Sequence, residues 1–245
     1  MTTLTLKYWL LGFLLLLLSP VSAEPAESEI KPFQANYQLI RNGIPFGHIE
    51  VTLQLAPQGQ YHYVAKTRPN ILTALLSNQT LTEESRGKLT QNGPTPDHYN
   101  YHKAKPDQSS TTRIGFDWLR KRATTNSNGT SWSMPIPLGT QDKLSQQLAI
   151  QIALLQGQDS ISFDVADGGH LKRYHYKREK LERLVTPLGE MTTVKVKRSK
   201  QSTHDYTIWF APSLNYLPVR FERKQSSGLF VMKLLFLQEP HLNSQ

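Results

Sequence analysis

Residues 33–55 read FQANYQLIRNGIPFGHIEVTLQL, and they carry the clearest strand pattern of the chain. On each side of Asn42-Gly43, apolar residues alternate with polar ones, over 33–39 and again over 49–55. Alternation with a period of two places every second side chain on the same face of a β-strand. Because Asn-Gly tolerates the positive φ angles of a two-residue turn, the stretch predicts a β-hairpin with one buried face.

The same alternation returns in short segments along the rest of the chain. Turn residues separate these segments at Pro57-Gln58-Gly59, Gln91-Asn92-Gly93-Pro94, Asn126-Ser127-Asn128-Gly129 and Asp167-Gly168-Gly169. Short strands at regular spacing predict an all-β sheet, sandwich or barrel. We find no internal repeat and no linker, so we expect a single mainly-β domain over 33–238.

One segment has a helical period, and it reads QDKLSQQLAIQIALLQ at 141–156. Its apolar residues recur at the spacing of one helix face: Leu144, Leu148, Ile152 and Leu155. Thr140 or Asp142 can accept hydrogen bonds from the first free amides, and Gly157 stands where a helix ends. The segment therefore predicts one amphipathic helix that lays its apolar stripe against the sheet.

The first 23 residues have the three parts of an export signal. They are a short start with Lys7, an apolar run over 8–18, and the small residues Val21-Ser22-Ala23 before a cleavage point. A membrane-spanning helix needs roughly 20 apolar residues, so this run is too short. We predict a signal peptide at 1–23, a disordered lead-in at 24–32 and a mature chain in the periplasm without a transmembrane anchor. An uncleaved anchor is the alternative.

Charge and cysteine content narrow the chemistry. The chain has no cysteine, which excludes disulfides, thiol catalysis and cysteine-ligated zinc. Its formal net charge is +9, and basic residues are densest at 172–183 and 195–200, where they alternate with apolar residues. This alternation is typical of a solvated strand face, and an acidic partner such as anionic lipid or cell-wall polymer is the alternative. Nucleic acid is not an expected partner of an exported chain without a binding module.

Motifs for catalysis or metal binding are not found in the sequence. It has no Gly-rich phosphate loop, nucleophile elbow, zinc motif or calcium loop. His98 and His102 are four residues apart, which along a strand separates them by roughly 13 Å, too far for one metal ion. Acid–base nominees are Asp142, Asp205 and Glu222, and helix capping is the simpler explanation of Asp142. We predict no catalytic residue, metal or cofactor, and we lean against an enzyme.

Aromatic side chains are frequent in the predicted strands. The chain has ten Tyr, nine Phe and four Trp, many at alternating positions. Such residues pack the cores of β proteins, or they line an apolar pocket between a curved sheet and an inserted helix. On the second interpretation, we nominate four ligand-lining residues: Leu144, Leu148, Ile152 and Trp209.

Several stretches resemble one known family. They are Asn42-Gly43-Ile44-Pro45-Phe46-Gly47, Met134-Pro135 with Gln141-Asp142-Lys143-Leu144-Ser145, Thr186-Pro187-Leu188-Gly189-Glu190-Met191, and Trp209-Phe210-Ala211-Pro212 with Leu217-Pro218-Val219-Arg220. In order and spacing they are similar to the domain-of-unknown-function 3108 family of exported bacterial proteins, over residues 33–237. The resemblance implies a strongly curved antiparallel sheet, a half-barrel or spiral, wrapped around the helix, a shape similar to that of periplasmic lipoprotein carriers. It implies no activity and no catalytic residues.

Together these features favour a non-enzymatic binding or scaffold protein of the cell envelope. Its ligand would be an apolar chain, a lipid or a partner peptide held against the helix. Two alternatives stay open: a hydrolase acting on envelope polymers, and a structural factor that braces an envelope complex through basic residues such as Lys195, Lys197 and Arg198. The candidate partners are a lipid, a lipoprotein, an envelope polymer or an envelope protein.

Overall fold

The computed structural model describes residues 30–74, 78–106, 108–199, 205–226 and 228–238. The strands of these residues are β1 Phe33–Arg41, β2 Ile44–Ala56, β3 Gln60–Pro69, β4 Thr80–Thr90, β5 Gly93–Lys105, β6 Gln108–Asp117, β7 Arg122–Ser127, β8 Thr130–Pro135, β9 Ser160–Asp167, β10 His170–Thr186, β11 Gly189–Arg198, β12 Asp205–Ala211, β13 Leu217–Gln225 and β14 Gly228–Gln238. The helices are α1 Ile71–Ala74 and α2 Ser145–Leu155, and 3-10 turns occur at Pro57–Gly59 and Pro212–Leu214.

The signal peptide predicted at 1–23 lies outside the described residues, as does most of the predicted lead-in. Ile30, the first described residue, belongs to that lead-in and is buried in the core.

All fourteen strands form one antiparallel sheet, in the order β8-β7-β6-β5-β4-β3-β2-β1-β14-β13-β12-β11-β10-β9. Strands that are adjacent in the sheet are also consecutive in the chain, except at the centre, where β1 pairs with β14. The first and last strands therefore lie side by side at the centre, and β8 and β9 form the two edges. The mainly-β prediction is confirmed, and within the described residues the sheet is not closed by pairing of β8 with β9.

The predicted hairpin is present in the first two strands. Arg41 pairs with Ile44 across the turn, and Asn42 and Gly43 have φ angles of 50° and 84°. Both residues are thus in the left-handed region that a type I′ turn requires. Along β1 the burial alternates as the sequence predicts from Phe33 to Tyr37, but then Ile40 is buried in place of the predicted Leu39, where the pairing with β2 shifts its register between Leu39 and Ile40.

Helix α2 begins at Ser145, whereas the sequence pattern predicts a start at 141. The first residues of the predicted segment are used differently: Gln141 forms a parallel bridge with Val165 of β9. Asp142 then caps the helix, accepting hydrogen bonds from the amides of Leu144 and Ser145, both at 2.7 Å. The cap predicted at Asp142 is confirmed. The helix is shorter than predicted because Gln141, the residue before the cap, pairs with the edge of the sheet.

Two sides of α2 are buried, so the prediction of a single apolar stripe needs correction. Leu144, Leu148 and Ile152 pack in the larger core cluster, which includes aromatic residues of β1, β3, β5 and β6. On the opposite side, Ile150 and Leu154 pack against residues of β9 to β12, and each is 1% exposed. The helix is therefore apolar toward both halves of the sheet.

Contacts to α2 show that the sheet is strongly bent. The hydroxyl of Tyr63 in β3 donates to Gln147 at 3.4 Å, and that of Tyr176 in β10 donates to Gln146 at 3.0 Å. Strands β3 and β10 are seven positions apart in the sheet order, which would separate them by roughly 34 Å in a flat sheet at about 4.8 Å per strand. Neighbouring residues of one helix reach both strands only because the sheet wraps around it.

Candidate ligand-binding cleft

The four residues predicted to line a ligand belong to one buried cluster. Leu144, Leu148, Ile152 and Trp209 are 4%, 0%, 8% and 6% exposed. The indole N–H of Trp209 donates to Glu182, and the charged groups of Lys195 and Arg220 lie 5.1 and 5.4 Å from its ring centroid. The structure thus brings these four residues into the core, and contact of any of them with a ligand stays a prediction.

A cleft of about 350 Å³ lies beside the C-terminal half of α2. Its floor is formed by Ala149, Ile152 and Ala153 of the helix. One wall is the start of edge strand β9, with Ile161 and Phe163, and the opposite wall is the β4–β5 turn and the start of β5. Among the predicted ligand-lining residues, Ile152 is the one that lines this cleft.

The lining of the cleft carries no group that titrates near neutral pH. Fifteen residues line it, and none of them is Asp, Glu, His, Lys, Arg or Tyr. Its polar groups are amides, hydroxyls and backbone atoms, such as those of Asn92, Gln156 and Ser162. General acid–base catalysis requires a titratable side chain within reach of the substrate, and the described residues of this lining supply none.

Gln141 leaves an unpaired hydrogen-bond acceptor in this region. Its side-chain amide donates to the carbonyl oxygens of Pro94 at 2.9 Å and Gly139 at 3.0 Å. The residue is 3% exposed and lines the cleft, yet Oε1 has no partner among the described residues. An unpaired buried polar group costs about 1–3 kcal/mol.

Sequence reasoning missed Gln141 because it assigned this residue to the first turn of the helix. Glutamine also has no characteristic spacing that would mark it as a binding residue. The only local signal is its place between the Pro137-Leu138-Gly139 turn and the helix cap at Asp142.

Asp142, the first acid–base nominee, anchors the helix to the sheet. Its Oδ2 accepts from the Ser85 hydroxyl in β4 at 2.6 Å, and that hydroxyl is 2.9 Å from the Tyr61 hydroxyl in β3. Burial raises the pKa of Asp142 to about 6, although the hydrogen bonds from Ser85, Ser145 and Leu144 lower it. Both carboxyl oxygens are occupied, and Asp142 does not line the cleft.

The other nominees for chemistry are not brought together with Asp142. Glu222 bonds Arg220 two residues away on β13. Asp205 begins β12, and its side chain lies outside the described part of the structure. Within the described ranges, no group of three or more His, Asp or Glu residues is arranged to hold a metal ion.

Most of the basic residues nominated for an acidic partner have partners within the chain. Lys195 lies 3.5 Å from Glu182, and Lys197 lies 3.0 Å from Glu179. The guanidinium of Arg198 stacks on the ring of Tyr206, 3.5 Å from its centroid. An open depression of about 730 Å³ beside these strands is lined by residues of both signs. The charge of this region is therefore partly neutralised.

Among the residues that the structure covers, no helix has the length and apolar character needed to cross a lipid bilayer.

Several solved structures resemble this chain, and three of them are described here. A β-barrel-like protein of the domain-of-unknown-function family DUF1849 from Brucella abortus aligns with a TM-score of 0.58 and 9% identity, over 86% of this chain and 98% of that one. A candidate lipoprotein from Parabacteroides distasonis aligns at TM-score 0.31 and 12% identity, over 85% and 96%. A candidate exported protein with a YmcC-like fold from Bacteroides fragilis aligns at 0.32 and 12%, over 86% and 97%. The first of these similarities supports a barrel-like fold.

No curated protein matches the sequence significantly. The sequence profile of one family does match, over residues 33–235, and this family is described as DUF3108, protein of unknown function. The match covers nearly all of the sheet from β1 to β14 together with α2. The resemblance drawn from the turn and helix motifs is thereby confirmed, and the chain belongs to the DUF3108 family.

Proposed function

We propose that this protein is a non-enzymatic binding protein of the bacterial cell envelope. It holds a neutral, partly apolar ligand in the cleft beside α2. The observation that carries the proposal is the lining of the cleft, which among the described residues combines apolar side chains with neutral polar groups and has no titratable side chain. A volume of about 350 Å³ is within the range of small-ligand sites, which extends from roughly 300 to 1,000 Å³.

Export to the periplasm is part of this proposal. It is supported by residues 1–23, whose basic start, apolar run and small residues before Glu24 match a signal peptide. The absence of cysteine agrees with an oxidising compartment in which no free thiol is exposed to oxidation.

The two alternative functions have less support. A hydrolase would need a carboxylate open to substrate, whereas the oxygens of Asp142 accept three hydrogen bonds and Glu222 bonds Arg220. A structural factor that meets an anionic surface would need unpaired cations, whereas Lys195 and Lys197 have acidic partners. Neither arrangement favours these functions over binding in the cleft.

Native mass spectrometry with two variants of Ala149 tests the proposal. Ala149 is half-buried on the floor of the cleft, so Ala149→Glu places a charge there, and Ala149→Gln adds a neutral side chain of similar size. Protein purified gently from its own host should carry a bound ligand, or take up a fluorescent naphthylamine probe. Ala149→Glu should lose this binding at least tenfold relative to Ala149→Gln, because a buried unpaired charge is strongly unfavourable.

Two outcomes would contradict the proposed function. One is a homogeneous ligand-free mass of the wild-type protein together with no uptake of the probe. The other is binding that Ala149→Glu and Ala149→Gln leave equally strong, which would place the ligand elsewhere. Circular dichroism of both variants verifies that each is folded.

A further inference from the structure

We propose that edge strand β9 binds an extended, uncharged peptide as an added strand in this cleft. The proposal names the ligand class of the function proposed above and rests on it. In such strand addition, main-chain hydrogen bonds supply affinity, and pockets for alternate side chains supply specificity. Two observations carry the proposal: the open edge of β9, and the shape and neutrality of the floor.

Strand β9 ends the sheet and pairs with β10 on one side. On that side the amide of Arg178 donates to the carbonyl of Asp159 at 2.8 Å. On the outer side Gln141 supplies two bonds: its amide donates to Asp164, and its carbonyl accepts from Ala166, both at 2.8 Å. Because backbone groups alternate in direction along a strand, the even-numbered residues of β9 point to the outer edge.

This alternation leaves backbone groups open where the cleft begins. The N–H and C=O of Ser162 and the N–H of Asp164 point to the outer edge, and no hydrogen bond from the described residues engages them. Ser162 itself lines the cleft. A second strand offers donors and acceptors at the same two-residue repeat, which an acyl chain does not. The chemistry of the edge therefore favours a peptide over a lipid.

Gln141 already forms one residue of such an added strand. Its parallel bridge to Val165 extends the sheet by a single residue, and the cleft opens where the chain turns away. An incoming strand would thus continue an existing line of pairing.

The floor and the opposite wall determine the kind of side chain that fits. Ala149 and Ala153 are small, so they leave room for a side chain that points toward the helix, while Ile161 and Phe163 provide apolar contact. Since the lining residues carry no charge, a charged side chain would be buried without a partner. The peptide should have a medium-sized apolar residue at this position.

A short synthetic peptide tests the proposal by NMR. The probe is acetyl-Thr-Val-Thr-Val-Thr-amide, and its partner is the same peptide with both Val nitrogens methylated, which keeps the apolar surface but removes two N–H donors. The first peptide should shift the amide signals of Ser162 and Asp164, with a Kd on the order of 1 mM or tighter. The methylated peptide should bind at least tenfold more weakly.

Variants of the strand and of the floor complete the test. Ser162→Pro removes the outward N–H and is compatible with an edge strand, so it should reduce peptide binding at least tenfold. If this variant does not fold, Ala149→Glu against Ala149→Gln gives the same comparison from the helix side, with binding lost in the first and kept in the second.

The outcomes separate the two proposals. Equal binding of both peptides, or shifts that do not include Ser162 and Asp164, would overturn strand addition while leaving ligand binding in the cleft intact. Binding of the naphthylamine probe without any binding of the peptide at millimolar concentration would have the same meaning. Failure of both the peptide and the probe would overturn the proposed function as well.

Discussion

Among single residues, Asp142 connects helix α2 to the sheet. It is fully buried, caps α2 and bonds Ser85 of the neighbouring strand. Burial raises its pKa to about 6, above the value of 3.8 expected in the unfolded chain. The folded state therefore favours the protonated carboxyl group. The resulting contribution to stability is complete below about pH 4 and is lost as the pH rises through about 6.

Asp142→Asn should remove this pH dependence. Asn keeps an oxygen for the amides of Leu144 and Ser145 but carries no charge, so it resembles the protonated acid. We expect the free energy of unfolding of the wild type, relative to Asp142→Asn, to fall by an amount on the order of 3 kcal/mol between pH 4 and pH 7. Urea unfolding of both proteins across this range measures the difference. A constant difference would show that folding leaves the pKa of Asp142 unshifted, and a relative stability of the wild type that grows with pH would show that the cap favours the ionised carboxylate; either result contradicts the prediction.

Sequence reasoning found Asp142 but not the full set of its contacts. A carboxylate before an apolar helical run is a local signal, and the cap depends on residues two and three positions away. Hydrogen bonds join Asp142 to Ser85 and Ser85 to Tyr61, although Ser85 lies 57 residues before Asp142 in the sequence and Tyr61 lies 24 residues before Ser85. No pattern in either strand marks them, because a buried Ser and a buried Tyr are ordinary residues of a β core.

At the scale of elements, the two-sided burial of α2 gives a test with adjacent leucines. The sequence stripe predicts Leu155 as the buried residue, whereas the structure buries Leu154 at 1% exposure and leaves Leu155 half-buried. We expect Leu154→Ala to lower the free energy of unfolding by about 2–5 kcal/mol and Leu155→Ala by less than about 2 kcal/mol. Urea unfolding provides the measurement. Equal losses, or a larger loss for Leu155→Ala, would contradict the packing of α2 against β9 to β12.

The sequence predicts individual strands and helices better than it predicts which elements they pair with or pack against. The β1–β2 hairpin follows from alternation and Asn42-Gly43, which are local, whereas the register shift between Leu39 and Ile40 has no local signal. The start of α2 at Ser145 does not follow, because Gln141 is drawn away by pairing with Val165. Helical periodicity reports which residues share a face, but it does not report that a sheet covers the opposite face as well.

At the scale of the whole molecule, the pairing of β1 with β14 joins the ends of the domain. Tyr37 contributes to this arrangement, since its hydroxyl donates to the carbonyl of Pro218 at 2.9 Å. Contacts that span nearly the whole chain leave no trace in short-range patterns. The sheet order could therefore not be derived from the residues alone, although the resemblance to the family implied the curved sheet.

Export gives a prediction for the intact protein. If residues 1–23 are removed, the mature chain begins at Glu24, and intact mass spectrometry of the periplasmic fraction should find that species. Replacing Ala23 with Arg should block cleavage, because small residues are required at the cut site. A full-length chain of 27.9 kDa recovered from the wild-type membrane fraction would contradict the signal-peptide prediction.

Amide hydrogen exchange along β9 shows whether the helix-filled sheet leaves an open edge beside the cleft. We expect Ile161 and Phe163, whose amides point toward β10, to exchange slowly, together with the amides of α2. The amides of Ser162 and Asp164 should exchange at least 100-fold faster, an order-of-magnitude expectation for unpaired edge groups. Equal protection of all four β9 amides, or rapid exchange throughout α2, would contradict it.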